Sequence, residues 1–358
     1  MDKLAPYYKR ILDTIHESSV SYAKASASLV DKYEPHLPIS VQINLLNKCY
    51  QRCIGCRKYE WPDIELPTST VIDVMMDISK VASVRSLVFS GGEPTMYDNF
   101  VSILACAKVL NFDVGVLTSA VFPKTLPIDF LVNSSNWISI SIDGATREMY
   151  KKTRGLDSLE LAKENVLKMK HIIESSNKIE CTLRCNSTIS NVNISEMPDI
   201  LALCNTLDID CNFFPIHTWN NLKVNHEASI EHIIKAQVMD VNVNSNIDSF
   251  IPMLKRKKPK FCIVPYVHCF IDANGDVLPC CRVANDNGDF TRNEELVMGN
   301  VLKTPFKEIW DSSLAEKIRN RIFSANEPVC LECDRYNLLN YNFTEWYTSR
   351  NTKKRVFI

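Results

Sequence analysis

The chain has 358 residues, 46% of them hydrophobic and 23% charged, with a formal net charge of −1. That composition sustains a large buried core and suits a sizeable α/β domain with a smaller companion. It excludes the global basic field that would draw a protein to nucleic acid or to an anionic membrane. The N-terminal MDKLAPYYKR has no apolar run of signal-peptide length, and no stretch approaches the roughly 20 apolar residues of a membrane span. A cytoplasmic protein with neither membrane nor nucleic-acid partner is the expectation.

In chain order, residues 1–38 read as an amphipathic helical extension ending near Pro35 and Pro38. Strand patterns follow at Val41–Leu46, Ser86–Ser90, Asp113–Thr118, Ile138–Asp143, Ile179–Asn186 and Asp208–Ile216, each rich in Val, Ile, Leu and Phe. Helix-period segments alternate with them at Ser69–Val81, Asn99–Leu110, Asp129–Asn133, Leu159–Ser175 and Ile194–Asn205. Six strands alternating with helices predict a parallel sheet with right-handed crossovers, a partial (β/α)6 TIM-type barrel over 39–220. Its chemistry is expected at the C-terminal ends of the strands. Residues 221–260 read as a connector with a basic patch at Lys255–Lys258. Residues 261–335 read as a small cysteine-rich α+β domain, and 336–358 as an aromatic, basic tail.

The 14 cysteines are not spread evenly. A disulfide framework is not expected in a reducing compartment. Cys106, Cys181, Cys185, Cys204 and Cys211 fall in strand- or helix-like segments and read as small buried hydrophobes. Cys49, Cys53 and Cys56 instead form C-x3-C-x2-C directly after the first strand. Three thiolates on one loop hold three irons of a [4Fe–4S] cube and leave the fourth open. A zinc site needs a fourth ligand. His36 precedes the first strand and belongs at the opposite end, and His16 is more distant still.

This loop resembles the signature of the radical S-adenosylmethionine (SAM) superfamily. The resemblance implies that the open iron binds SAM, whose cleavage gives a 5′-deoxyadenosyl radical that abstracts hydrogen from substrate. The family's usual aromatic residue before the third cysteine is Gly55 here. The second strand ends in Gly91-Gly92-Glu93-Pro94, similar to the family's GGEP motif, where glycines allow close backbone approach to SAM. The family likeness also implies SAM contacts from Thr118 and Ser119 after the third strand, Ser141 and Asp143 after the fourth, and Arg184 and Asn186 on the fifth.

Cys262, Cys280, Cys330 and Cys333 form C-x17-C-x49-C-x2-C. FIDANGDVLPCC reads as a β-hairpin with an Asn-Gly turn that returns Cys280 toward Cys262. Spacing alone suits a structural zinc or a fully ligated [4Fe–4S] cluster equally. The region resembles the twitch domain, a shortened SPASM extension of radical SAM enzymes, which implies one auxiliary [4Fe–4S] cluster. Cys269 and Cys281 are surplus, candidates for core thiols, alternate ligands or a hydrogen-atom donor. His217 and Trp219 are candidates for the barrel mouth.

The resulting expectation is a radical SAM enzyme with SAM and two [4Fe–4S] clusters. It would oxidise a small polar substrate such as a sugar, aminocyclitol or nucleoside, with electrons from a flavodoxin or ferredoxin. The alternatives are a radical epimerase and a peptide-modifying enzyme. The 40 or so residues before Val41 are shorter than the leader-peptide-binding domain that many peptide-modifying relatives carry there.

Overall fold

A computed structural model describes residues 40–56, 62–80, 86–176, 180–216, 222, 224, 226–239, 243–247, 250, 262–285, 293–331 and 333. The N-terminal extension, His217, Trp219, the 255–258 basic patch and the tail lie outside the described residues.

Six parallel strands carry the first part of the chain: β1 (Ser40–Asn44), β2 (Ser86–Ser90), β3 (Asp113–Thr118), β4 (Trp137–Ser141), β5 (Thr182–Ile189) and β6 (Asp210–Pro215). Helices alternate with them: α1 (Thr68–Ser79), α2 (Phe100–Val109), α3 (Ile128–Asn133), α4 (Arg147–Arg154), α5 (Leu159–Glu174) and α6 (Met197–Leu207), followed by α7 (His226–Gln237). Each strand buries its alternate apolar residues under these helices. Val41, Ile43, Leu87, Phe89, Val114, Val116, Ile138, Ile140, Cys185 and Ile189 are almost wholly buried in one continuous core. The opposite face is polar. There Gln42 Nε2 donates to Ser90 Oγ at 2.8 Å, and Ser90 Oγ donates to Asn44 Oδ1 at 2.6 Å.

The described strands of the cysteine-rich segment join the main sheet. After α8 (Val264–Val267), strand β7 (His268–Ile271) pairs in parallel with β1, placing Val41 beside Cys269. The strands β8 (Asp276–Leu278) and β9 (Gly299–Asn300) then add antiparallel, giving the order β6-β5-β4-β3-β2-β1-β7-β8-β9. The sheet stays open, with β6 and β9 at its two ends. The β7–β8 turn is the expected Asn-Gly hairpin, with Gly275 at φ +87°. Two helices follow, α9 (Phe306–Trp310) and α10 (Ser313–Phe323). Ser312 breaks the run because its hydroxyl caps α10, accepting from Ala315 N at 3.1 Å. A short helix, α11 (Pro328–Leu331), carries Cys330. No helix among the described residues is long and apolar enough to cross a membrane.

Candidate active site at the C-terminal ends of the strands

The loop after β1 carries Cys49, Cys53 and Cys56 and is braced from two sides. On one side runs the glycine pair that follows β2. Gly92 N donates to Leu46 O at 2.7 Å, and Glu93 N donates to Lys48 O at 2.8 Å. Gly91 sits at φ +144°, and a Cβ there would lie 2.4 Å from Leu46 O. A Cβ on Gly92 would lie 2.0 Å from Lys48 O. The close approach that requires glycine is therefore to the backbone of the cysteine loop itself.

On the other side the loop is held by the end of α4. Arg52 N donates to Arg154 O, and Ile54 N donates to Thr153 O, both at 3.0 Å. The Arg154 side chain, largely buried, donates to Asp143 Oδ2 and to Gln51 Oε1, each at 2.8 Å. Gln51 in turn donates to Tyr150 Oη at 3.0 Å. Burial works against the Arg154 charge, but Cys53 as a thiolate and Asp143 more than offset it and hold the guanidinium above its ordinary pKa. Burial also pushes the free thiols up, Cys49 to about 11 and Cys53 to about 12. They are protonated until a metal displaces the protons.

The three cysteines open onto a cavity of about 160 Å3, also lined by Gly92, Asp143, Arg154, Thr188, Ser190, Ile54 and Ile216. The donor chemistry fits an open iron–sulfur cluster: three soft ligands on one loop, polar groups on the surrounding strand ends, and a void beside the thiols. Among the described residues, the one set of three or more metal-ligating groups converging within 4.8 Å is elsewhere, at Cys185, Cys204 and Cys211. The loop cysteines stand wider than single-ion spacing, as a multi-iron cube requires.

Other anticipated residues lie as follows. Glu93 is 1% exposed. Its carboxylate accepts from Thr95 N and Oγ1, Thr118 Oγ1, and Ser119 N and Oγ. Glu93, Thr118 and Ser119 thus meet each other, and Pro94 begins the short turn that follows. Asp143 reaches the cavity and also accepts from Thr188 N at 2.6 Å. Arg184 does not line the cavity. It is the third residue of β5, donating to Ser139 Oγ at 3.2 Å with its guanidinium 4.2 Å over the Trp137 ring. Asn186 accepts from Asn212 Nδ2 at 3.4 Å, and neither it nor Ser141 is in the lining. The cause is register. β5 runs to Ile189, three residues beyond its expected end, so the same face reaches the mouth at Thr188 and Ser190. Arg154, Gln51, Thr188 and Ser190 were all missed from the sequence.

In the second cysteine group, Cys262 and Cys280 are buried. Burial pushes Cys280 up, and Cys281, Cys262 and Cys333 add to the shift. Cys333 N donates to Cys330 O at 3.3 Å, forming the C-x2-C turn after α11. Cys269 is fully buried beside Val41 on the helix-covered face, its thiol 3.6 Å from Leu278 O. It faces the core, which counts against a role as hydrogen-atom donor in the cavity.

Comparison with known proteins agrees with this layout. The model of the radical SAM superfamily matches residues 43–204, and that of the SPASM iron–sulfur cluster-binding domain matches 262–334. The latter is the parent type of the twitch form. The PqqA peptide cyclase of Rhodopseudomonas palustris is 23% identical over 261 residues, covering 68% of this chain and 67% of the relative. The pre-heme d1 synthase of Dinoroseobacter shibae is 24% identical over 311 residues, covering 76% and 74%. Among solved structures, Streptococcus suis SuiB bound to precursor peptide SuiA superposes with TM-score 0.62 at 16% identity, covering 93% of this chain and 76% of SuiB. A complex of anSMEcpe with AdoMet and the Cp18Cys peptide gives 0.58 at 14%, covering 84% and 87%. Residues 43–204 are thus a radical SAM domain, of the superfamily whose members bind SAM and a [4Fe–4S] cluster, and residues 262–334 are a SPASM-type domain for further iron–sulfur binding.

Proposed function

We propose that the chain cleaves SAM reductively and directs the resulting radical at a peptide. Cys49, Cys53 and Cys56 would hold the SAM-binding [4Fe–4S] cluster. Cys262, Cys280, Cys330 and Cys333 would hold an auxiliary cluster, with Cys281 beside Cys280 as the surplus thiol. The observation that carries the reading is the convergence of three thiols, a glycine-enforced backbone crossing and a polar strand-end rim on one cavity. When bound, the open cluster and SAM supply a 5′-deoxyadenosyl radical that abstracts hydrogen.

The chain's own residues do the positioning. Arg154, Asp143 and Gln51 lock the cysteine loop to β4 and α4. Glu93 ties the turn after β2 to the end of β3, so the glycine backbone is fixed before SAM arrives. Thr188 and Ser190 offer polar groups to the ribose and carboxylate. Ile54 and Ile216 offer the apolar surface that an adenine needs where the family's aromatic residue is replaced by Gly55.

The expectation of a sugar, aminocyclitol or nucleoside substrate is less well supported than the peptide alternative. A relative named for peptide cyclisation and two fold neighbours solved with peptides favour the peptide. With Cys262, Cys280, Cys330 and Cys333 all as ligands, an auxiliary cluster would have no iron open to substrate and would supply an electron acceptor for a net two-electron oxidation. A flavodoxin or ferredoxin would be the reductant. The test is anaerobic incubation of the reduced enzyme and SAM with peptide pools and, separately, with nucleoside and aminocyclitol pools. Peptide-dependent 5′-deoxyadenosine and a peptide two mass units lighter support the proposal. Stimulation by the small polar pools alone overturns it.

A further inference from the structure

Three cysteines that belong to neither cluster set converge in the core. Cys185 on β5 and Cys211 on β6 are ladder partners, and Cys204 reaches them from α6. Their Sγ atoms all lie within 4.8 Å of one another, and each residue is 0% exposed. Their small apolar character explains burial, but it does not require three sulfurs from three elements to meet.

Spacing narrows what can sit among them. Metal–sulfur bonds of about 2.3 Å put the sulfurs of a three-coordinate centre about 4 Å apart, which this group permits. A cube of four irons spreads its thiolates over separate corners and does not fit. Charge narrows it further. Three thiolates around a zinc ion leave one negative charge and an empty fourth position, and no other His, Cys, Asp or Glu among the described residues joins the set. Around cuprous copper they leave two negative charges. Either charge would be stranded in an apolar core. Asp210 adds a nearby negative charge that opposes an anionic complex further. A trivalent centre leaves no net charge.

We propose that Cys185, Cys204 and Cys211 form a buried trithiol site that captures trivalent arsenic, with arsenite as the simplest source. In the reaction, As(OH)3 and three thiols form three As–S bonds. Three As–O bonds break, the thiol protons leave with the hydroxyls as three waters, and no oxidation state changes. At β6, the end of the ladder, the group is covered by residues 243–247 through Cys211 N to Asn244 O at 2.9 Å.

The test uses the reconstituted holoenzyme, whose two clusters would occupy the loop cysteines and the Cys262, Cys280, Cys330 and Cys333 set. After anaerobic sodium arsenite treatment and desalting, one arsenic per chain is expected, with iron unchanged. Arsenic X-ray absorption should show three sulfur and no oxygen neighbours. Cys204→Ala and Cys211→Ala should each abolish retention, whereas Cys269→Ala should not. Arsenic that keeps oxygen neighbours, that displaces iron, or that is retained by the Cys204→Ala and Cys211→Ala variants overturns the proposal. The absorption spectrum of the parent decides the matter even if those variants fail to fold.

Discussion

Replacing Gly92 by Ala isolates the role of the backbone crossing at the active site. The new Cβ would stand 2.0 Å from Lys48 O and 2.4 Å from Asn47 O, both backbone atoms that no rotamer change can move. Relief to an ordinary carbon–oxygen contact requires the two chains to part by about 1.4 Å. That separation breaks the bonds from Gly92 N to Leu46 O and from Glu93 N to Lys48 O. At about 1 kcal/mol for each bond and about 1–3 kcal/mol for the steric clash, the cost is about 3–5 kcal/mol. It falls on the residue next to Cys49, so the SAM-side cluster should suffer along with SAM binding. The assay is iron and sulfide per chain after anaerobic reconstitution, together with 5′-deoxyadenosine yield. Gly92→Ala should lose about half of its iron and all SAM cleavage. Gly55→Ala is the comparison: its Cβ would meet only the Ile216 side chain, Cδ1 at 2.8 Å and Cγ1 at 3.2 Å, and should keep its iron. A Gly92→Ala protein with full iron and parent-level cleavage would refute the reasoning.

The parent should hold about eight irons and eight sulfides, and the triple Ala variant of Cys49, Cys53 and Cys56 about half; a parent count near four would remove the auxiliary cluster. Arg154→Met strands the buried Asp143 carboxylate and should cost about 3–5 kcal/mol in a denaturant titration, with weaker retention of the loop's iron. An unchanged transition midpoint would show the pair to be dispensable. Glu93→Gln turns one acceptor oxygen into a donor facing hydroxyl and amide donors, and it should depress SAM cleavage at least tenfold while iron stays in place. Equal loss of iron and cleavage would instead mark Glu93 as a loop support.

Much of the fold was legible because its signals are periodic. Ser86–Ser90 and Asp113–Thr118 coincide with the expected strands, and α1, α2, α3 and α5 fall within two residues of their expected limits. The cysteine loop and the glycine pair were legible as motifs with a position. What was missed lacked a period. Helix α4, REMYKKTR, is nearly all polar and buries only Tyr150 and Thr153. Its signal lay in its ends, an N-cap Thr146 that accepts from Met149 N and a left-handed Gly155. Missing the helix meant missing Arg154. On β5, strict alternation shows which residues share a face but not where the strand stops, so Arg184 stood in for Thr188. The meeting of Cys185, Cys204 and Cys211 depends on a helix–sheet contact and on ladder register, and no local pattern encodes either. Pairing of β7 with β1 was likewise invisible, since nothing in HCFI names its neighbour.

That last pairing sets a timetable for biosynthesis. Asn44 Nδ2 donates to Asp272 Oδ1 at 2.9 Å, across 228 residues of intervening chain. At about 5–20 residues per second, a ribosome needs roughly 10–45 seconds to make the partner after the first strand emerges. Throughout that interval one edge of β1, in the middle of the finished sheet, offers unpaired amide and carbonyl groups to any passing strand. Codon choice and chaperone occupancy between residues 44 and 268 therefore set how long that edge stays exposed. Slow translation through the connector lengthens the exposure of a strand that the mature enzyme never uncovers.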